Sequence, residues 1–149
     1  MTTFFADTSA LVKRYVNEKG SAWAASQFTS PSNVIIIAES TLVEMFSMFE
    51  RRKRDNTLPA STVGILEREF LAHSKSEYLI TPIDSRIVES ARILVTKHPL
   101  RAFDAIQLAS SLYTLSLINE TITFACADGL LFTAAQAEGF KVENPNNYP

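Results

Sequence analysis

The sequence has few of the residues that build the commoner kinds of enzyme site. Its single cysteine, Cys126, excludes an internal disulfide and a zinc site made of thiolates. Its two histidines, His73 and His98, have no acidic residue at a metal-ligand spacing, so we expect them to be structural. Only four glycines occur, and none belongs to a Walker loop, a G-x-G-x-x-G turn or a G-x-S-x-G elbow. Phosphate-loop nucleotide binding and α/β-hydrolase chemistry are therefore disfavoured.

Excess charge and long apolar runs are also missing. The chain has 14 Lys and Arg against 16 Asp and Glu, a net charge of −2, so as a whole it is not a basic nucleic-acid binder. Its longest apolar run, Val34 to Ala38, is too short to cross a bilayer, and the N-terminus lacks the features of a signal peptide. With the lone cysteine, these absences predict a reducing, cytoplasmic location. The 149 residues, 46% of them hydrophobic, predict one globular domain covering 1–149.

Apolar strands alternate with amphipathic helices along the chain. The predicted strands cover 3–7, 33–38, 77–81, 121–126 and 140–143. The predicted helices cover 9–18, 21–29, 41–54, 59–75, 84–97, 103–118 and 129–138, with Ser21 and Asp84 as N-caps. Strands separated by helices need crossover connections. The predicted fold is therefore α/β, a three-layer α/β/α sandwich around a central parallel sheet.

Four acidic residues stand where these helices and strands meet. Asp7 and Asp128 each end a strand, Glu44 follows the second strand, and Asp104 opens the helix over 103–118. Ligands of open parallel sheets bind outside the carboxyl ends of the strands. Carboxylates gathered there raise one another's pKa unless a cation neutralises them. Hard divalent metals are the usual partners of such oxygens.

Each acid also has a simpler interpretation as part of a helix start. Asp7 and Asp128 suit N-caps, Thr41 and Glu44 match a capping box, and Asp104 places negative charge in a first helical turn. Four separate caps would account for each residue alone. All four, however, fall at one edge of one predicted sheet, which favours a shared site.

Several basic residues flank the predicted site and are candidates for phosphate contacts. They are Lys13, Arg14, Arg51, Arg52 and Arg101. The run from Arg51 to Arg54 has an alternative interpretation as a solvated helix end, since cations there complement the helix dipole.

With its acids in this order, the chain resembles the PIN-domain ribonucleases, in particular the VapC-type toxins of toxin–antitoxin pairs. The resembling segments are Phe5 to Tyr15, Ser40 to Arg52, Leu100 to Ala109 and Thr123 to Asp128, followed by Ala134–Ala135 and Gly139 to Val142. They span nearly the whole chain. One departure is Cys126, which stands where the family often has a hydroxyl residue two positions before the last Asp.

The resemblance implies a metal-dependent endoribonuclease and a set of roles for its residues. Asp7, Glu44, Asp104 and Asp128 would be the catalytic, metal-binding acids, and the cofactor would be Mg²⁺ or Mn²⁺. Thr8 or Ser9 would supply a hydroxyl that assists metal-bound water or the substrate.

The resemblance also implies partners: an RNA substrate, a small antitoxin that blocks the active site, and a second copy in a homodimer. We expect the antitoxin to cover aromatic side chains that a thin sheet leaves exposed between 21 and 75. The candidates are Trp23, Phe28, Phe46, Phe49 and Phe70.

Two other functions remain open from the sequence. One is a receiver-like signalling module, with Asp7 in an acidic Mg²⁺ pocket and Asp84 accepting phosphate. The other is a PIN-like binding domain without catalytic activity. Metal-dependent RNA cleavage separates both from a nuclease.

Overall fold

Five β-strands and seven α-helices alternate along the chain, and the computed structural model describes all residues from Met1 to Pro149. The strands are β1 (Thr3–Ala6), β2 (Val34–Ala38), β3 (Tyr78–Thr81), β4 (Ile122–Ala125) and β5 (Lys141–Glu143). The helices are α1 (Thr8–Leu11), α2 (Ser21–Phe28), α3 (Thr41–Arg54), α4 (Ala60–Ser76), α5 (Ser85–Lys97), α6 (Ala102–Leu117) and α7 (Gly129–Ala137). Short 3₁₀ turns cover Val12–Arg14 and Pro145–Asn147.

The strands form a single parallel sheet in the order β3-β2-β1-β4-β5. The chain therefore runs outward from the centre through β2 and β3, and returns to the other side of β1 for β4 and β5. Strand order reverses between β1 and β4, and ligands of open α/β sheets bind at the carboxyl ends beside such a reversal. The backbone N–H of Asp7 donates to the carbonyl of Ala125 at 3.0 Å, which joins the two strand ends.

Two apolar cores fill the space between the sheet and its two helical layers. Phe4 packs on the side of α1 to α4, while its neighbour Phe5 packs on the side of α5 to α7. Adjacent residues of a strand point to opposite faces, and both faces are covered, so both phenylalanines are buried. This arrangement confirms the predicted α/β/α sandwich.

The predicted helix over 9–18 is wrong. Helix α1 ends at Leu11 and gives way to the 3₁₀ turn, because the chain folds back on itself before α2. Lys13 Nζ donates to Glu18 and to the carbonyl of Lys19, and Gly20 adopts φ +83° at the start of α2.

Two predicted caps also differ. Gly20 occupies the N-cap of α2, whereas the hydroxyl of Ser21 accepts from the N–H of Glu18 and donates to the carbonyl of Val16. The capping box of Thr41 and Glu44 does not form, because α3 begins after Ser40 and no side chain caps it. Asp84 does cap α5, as predicted.

The aromatic side chains between 21 and 75 are not an exposed patch. Phe28, Phe49 and Phe70 are fully buried, and Trp23 and Phe46 are partly covered. None of the helices combines the length and the apolar character needed to cross a membrane.

Candidate metal and nucleic-acid site

A cleft of about 750 Å³ opens at the carboxyl edge of the sheet. All four acids line it, together with Thr8 and Ser9 from α1 and with Arg51 and Arg101. Three exposed apolar residues, Val43, Phe103 and Leu130, stand along the same cleft. Asp7 comes from the end of β1, Glu44 from α3, Asp104 from the first turn of α6, and Asp128 from the N-cap of α7.

Asp7 is the most deeply buried of the four acids, with 3% of its surface exposed. Its Oδ2 accepts hydrogen bonds from the backbone N–H of Ser9 at 3.1 Å and from the Ser9 hydroxyl at 2.5 Å. Burial raises the pKa of Asp7 to about 7, and the charges of Glu44 and Asp104 act in the same direction. The bonds from Ser9 lower the pKa and only partly offset the burial.

Ser9 also joins the two central strand ends. Its hydroxyl accepts from the backbone N–H of Ala127 at 2.9 Å while it donates to Asp7. The segment that follows β4, and leads to Asp128, is therefore linked to the Asp7 carboxylate through the Ser9 hydroxyl.

The carboxylate of Glu44 is held by the buried side-chain amide of Gln107. Its Oε1 accepts from the side-chain Nε2 of Gln107 at 2.9 Å. Burial raises the pKa of Glu44, although the hydrogen bond from Gln107 lowers it. Gln107 was not identified from the sequence, because a glutamine within an amphipathic helix carries no motif that sets it apart from a surface position.

Asp128 is exposed, and Asp104 is half-buried like Glu44. Burial is the main cause of the raised pKa of Asp104, and the neighbouring charge of Asp128 adds to it. Oδ1 of Asp128 accepts from the backbone N–H of Leu131 at 3.0 Å, which caps α7. Capping is therefore real for Asp7 and Asp128, and the two caps point into the same cleft as the other acids.

Cys126 contributes to the loop rather than to chemistry. It is fully buried, and its Sγ accepts from the backbone N–H of Asp128 at 3.3 Å. Burial, together with the charge of Asp7, raises the pKa of the thiol. The thiol therefore supports the Asp128 loop through the Asp128 backbone.

The four carboxylates are ligands of the type that binds a divalent cation, but their side chains do not form a complete coordination sphere. Their oxygens are the hard ligands that Mg²⁺ and Mn²⁺ prefer. Burial, with a smaller contribution from neighbouring acids, raises the pKa values of Asp7, Glu44 and Asp104, and a bound cation would stabilise their ionised forms. No three acidic, histidine or cysteine side chains, however, stand close enough together to hold a metal as they are placed.

The predicted basic contacts divide into two groups. Arg51 and Arg101 line the cleft with exposed side chains. Lys13, Arg14 and Arg52 do not line it, because acidic partners hold them elsewhere.

The ion pairs of the second group are short. Lys13 and Arg52 both bond Glu18, at 2.9 and 2.7 Å, and Arg14 pairs with Glu77 at 2.7 Å. Arg14 also donates to the hydroxyl of Tyr78 at 2.7 Å. The structure therefore places these three cations in ion pairs outside the cleft.

Comparison with known proteins identifies a family for this arrangement. The family model described as "PIN domain" matches residues 4–118, a span that holds Asp7, Glu44 and Asp104 and ends before Asp128. No curated protein matches the sequence at a significant level.

Solved structures share the fold at low sequence identity. VapC20 of Mycobacterium tuberculosis, described as a sarcin–ricin loop cleaving toxin, superposes with a TM-score of 0.65 at 17% identity, covering 92% of this chain and 95% of that one. VapBC2 of Rickettsia felis, bound to a promoter DNA fragment, gives 0.66 at 13% identity, with 96% and 98% covered. A toxin–antitoxin complex of Klebsiella pneumoniae gives 0.57 at 18% identity, with 95% and 97% covered. At these identities the likeness is one of fold.

Proposed function

The chain belongs to the PIN-domain family, and on that basis we propose that it is a metal-dependent endoribonuclease, the toxin component of a type II toxin–antitoxin system. The observation that carries the proposal is the convergence of four carboxylates from four separate elements on one cleft, with two arginines at its edge. Stability alone does not account for the cluster, because burial, together with the charges of Glu44 and Asp104, raises the pKa of Asp7, and a carboxylate with a raised pKa costs folding energy at neutral pH.

Asp7, Glu44, Asp104 and Asp128 are the residues that would hold Mg²⁺ or Mn²⁺. When bound, the cation lowers the pKa of a coordinated water and offsets charge on the scissile phosphate. Glu44 is held by Gln107, which suits a fixed ligand. Asp128 is exposed and uses only Oδ1 to cap α7, so Oδ2 can accept a proton from the attacking water.

The hydroxyls of α1 differ in their availability to substrate. Thr8 is buried, and its Oγ1 lies 3.1 Å from Gln107 Nε2, so its role is to support the acids. Ser9 is partly exposed on the cleft and touches Asp7, so it can also contact a phosphate oxygen or a water bound beside that acid.

RNA phosphates would meet Arg51 and Arg101, which approach the cleft from α3 and from the residue before α6. The side chain of Phe103 is 54% exposed on the same cleft. An exposed aromatic ring beside a basic side chain suits stacking of an unpaired base. We therefore propose single-stranded or looped RNA as the substrate class.

An antitoxin would dock along the cleft rather than on the aromatics of α2 to α4, which are covered. Val43, Phe103 and Leu130 offer it apolar anchors around the acids. The structures of this fold include toxin–antitoxin complexes, which supports a protein partner of this kind. We also propose that the protein is a cytoplasmic homodimer. Analytical ultracentrifugation of the free chain tests whether it dimerises.

The receiver-like alternative is wrong, because the chain is a PIN-domain protein and Asp84 does not line the cleft. The Asp84 carboxylate caps α5 and pairs with Arg86 at 2.7 Å. A PIN-like binding domain without catalysis is the remaining alternative. The convergence of four carboxylates on one cleft favours the nuclease, since a surface that only binds RNA has no need for a cluster of acids.

Growth of cells that express the chain from a tight promoter tests the toxin role. The parent should arrest growth and deplete intact RNA, while Asp7→Asn, expressed at the same level, should do neither. Co-expression of the partner protein should restore growth. Equal growth of the two strains with intact RNA in both would remove the toxin role.

A further inference from the structure

Gln107 is a fully buried amide directly beneath the acid cleft. It lies on α6, three residues after Asp104 and therefore one turn further into the helix. The residues beside it on α6, Leu108 and Ala109, belong to the apolar core.

The Gln107 side chain joins three elements through one nitrogen. Nε2 lies 2.9 Å from Glu44 Oε1, 2.9 Å from Thr41 Oγ1 and 3.1 Å from Thr8 Oγ1. Thr8 is the residue after Asp7, so the amide connects the neighbourhoods of Asp7, which caps α1, of Glu44 on α3 and of Asp104 on α6. An ionised carboxylate only accepts, so it fixes the nitrogen rather than the oxygen of the amide toward Glu44.

The other end of the amide has no partner. Gln107 Oε1 is buried and accepts no hydrogen bond from any protein group. Packing alone would be served better by an apolar side chain of this length, because a buried acceptor without a donor is destabilising. The hydrogen bonds of its Nε2 therefore account for a polar residue at position 107.

We propose that Gln107 is the positioning residue of this site: its amide holds the Glu44 carboxylate in the orientation in which Glu44 serves as a metal ligand. The inference rests on the proposed function, in which Glu44 is one of the acids that hold Mg²⁺ or Mn²⁺. Thr8 and Thr41 are the fixed points that keep the amide in place.

The test compares Gln107→Met, which keeps the length and loses both N–H groups, with the parent and with Ser110→Ala. Ser110 is the matched control, because it is fully buried on α6 one turn away and its hydroxyl makes no hydrogen bond. The readout is the Mn²⁺ concentration that gives half of the maximal rise in melting temperature.

Gln107→Met should raise that midpoint about 10- to 100-fold, the usual effect of removing a group that orients a metal ligand. Ser110→Ala should leave it within about twofold of the parent. Excess Mn²⁺ should restore RNA cleavage by Gln107→Met, since the ligands remain and only their affinity has fallen. An unchanged midpoint in folded Gln107→Met would overturn the inference.

A double-mutant cycle then locates the effect at Glu44. In a Glu44→Ala background, Gln107→Met should change the midpoint by less than about twofold, because the group that it orients has gone. Multiplication of the two single effects would show that Gln107 acts elsewhere and contradict the inference.

Thr41→Val decides the matter should Gln107→Met fail to fold. It keeps the amide and removes one of its fixed points, so it should raise the Mn²⁺ midpoint by a smaller factor of about two to five. No rise would count against the inference. A parent protein whose melting temperature does not rise with Mn²⁺ and that does not cleave RNA would overturn the proposed function itself. If the parent shows both, the proposed function stands and only the role of Gln107 is in question.

Discussion

The hydroxyl of Ser9 lies 2.5 Å from the carboxylate of Asp7 and donates a hydrogen bond to it. The same hydroxyl accepts from the backbone N–H of Ala127, so one side chain both lowers the pKa of the central acid and fixes the loop beyond β4. The ends of the two central strands are therefore coupled through a residue that itself lines the cleft.

Replacing Ser9 by Ala should have two separable effects. The N–H of Ala127 loses its partner, which should lower the free energy of unfolding by roughly 1–2 kcal/mol. The pKa of Asp7 should rise above about 7, because a bond that lowers it is gone. Protons then compete with metal at higher pH, so Mn²⁺ affinity should suffer more at about pH 7 than at about pH 8.5.

Urea unfolding and Mn²⁺ titrations of Ser9→Ala measure both effects. Thr133→Ala is the control, since the exposed Thr133 hydroxyl donates only to the carbonyl of Gly129. A pH-independent affinity loss in Ser9→Ala would show that the Ser9 bond does not govern Asp7.

Without metal, the protein should lose stability through Asp7 as the pH rises from about 4 to about 7. The folded pKa of Asp7 is about 7 against an ordinary 3.8, so within this window the folded state holds a proton that the unfolded state has released. Stability falls with pH wherever the folded state binds more protons. Asp7→Asn lacks this titration, so its advantage over the parent should grow to a few kcal/mol by pH 7.

Melting temperatures of the two proteins in chelator, measured across that window, check this prediction. Other carboxylates titrate in both proteins, so only the difference between the two curves is informative. Parallel curves would mean that Asp7 is ionised in the folded protein well below pH 7.

Arg51 and Arg101 should contact RNA, whereas Arg52 should not. Replacing the first two by Ala in an Asp7→Asn background, which prevents cleavage, should weaken RNA binding and reduce the salt slope by about 1.4, the value for two contacts to a single strand. Arg52→Ala should lower stability by about 1 kcal/mol or less through its pair with Glu18. Its RNA affinity and salt slope should match those of the parent. If Arg52→Ala weakened RNA binding and the Arg51 and Arg101 replacements did not, the RNA would lie on the side of α3 that faces Glu18.

Gly20 should be far less replaceable than Gly139. Both have positive φ, +83° and +98°, so Ala at either costs about 1 kcal/mol or more in conformational energy. A Cβ at Gly20 would also clash with the carbonyl group of Pro145, whereas one at Gly139 meets nothing within 4 Å. Gly20→Ala should therefore be the more destabilising by several kcal/mol in urea unfolding. Equal losses would mean that the C-terminal turn moves away at little cost.

The strands and long helices could be predicted because the apolar residues that recur at strand or helix spacing are the ones that the fold buries. Strand β2 is buried on both faces from Ile35 to Ala38, and Met45 and Phe49 lie on the core side of α3. The segment after Leu11 could not be predicted, because the chain turns there and Lys13 pairs with Glu18 across the turn, which the apolar pattern does not indicate. The same ion pair holds Lys13 outside the cleft.

That the four acids would line one cleft could be predicted, because the topology brings strand ends and neighbouring helix starts to one edge of the sheet. Their role as metal ligands stays a prediction. Gln107 could not be predicted, because its role depends on which residues of α1 and α3 face α6. The different positions of Arg51 and Arg52 could not be predicted either, because the two residues are adjacent in the sequence. Only the structure shows that Arg52 pairs with Glu18 while Arg51 lines the cleft.

Cleavage of a labelled single-stranded RNA by the purified chain tests the central claim most directly. The parent in Mn²⁺ should produce internal cuts that disappear in chelator. Asp104→Asn, which removes one charge at nearly constant volume, should stay folded and lose at least about a hundredfold in rate. Ser110→Ala should cut like the parent. Parent-level cutting by folded Asp104→Asn, or cutting by the parent that persists in chelator, would contradict a metal-dependent site built on these acids.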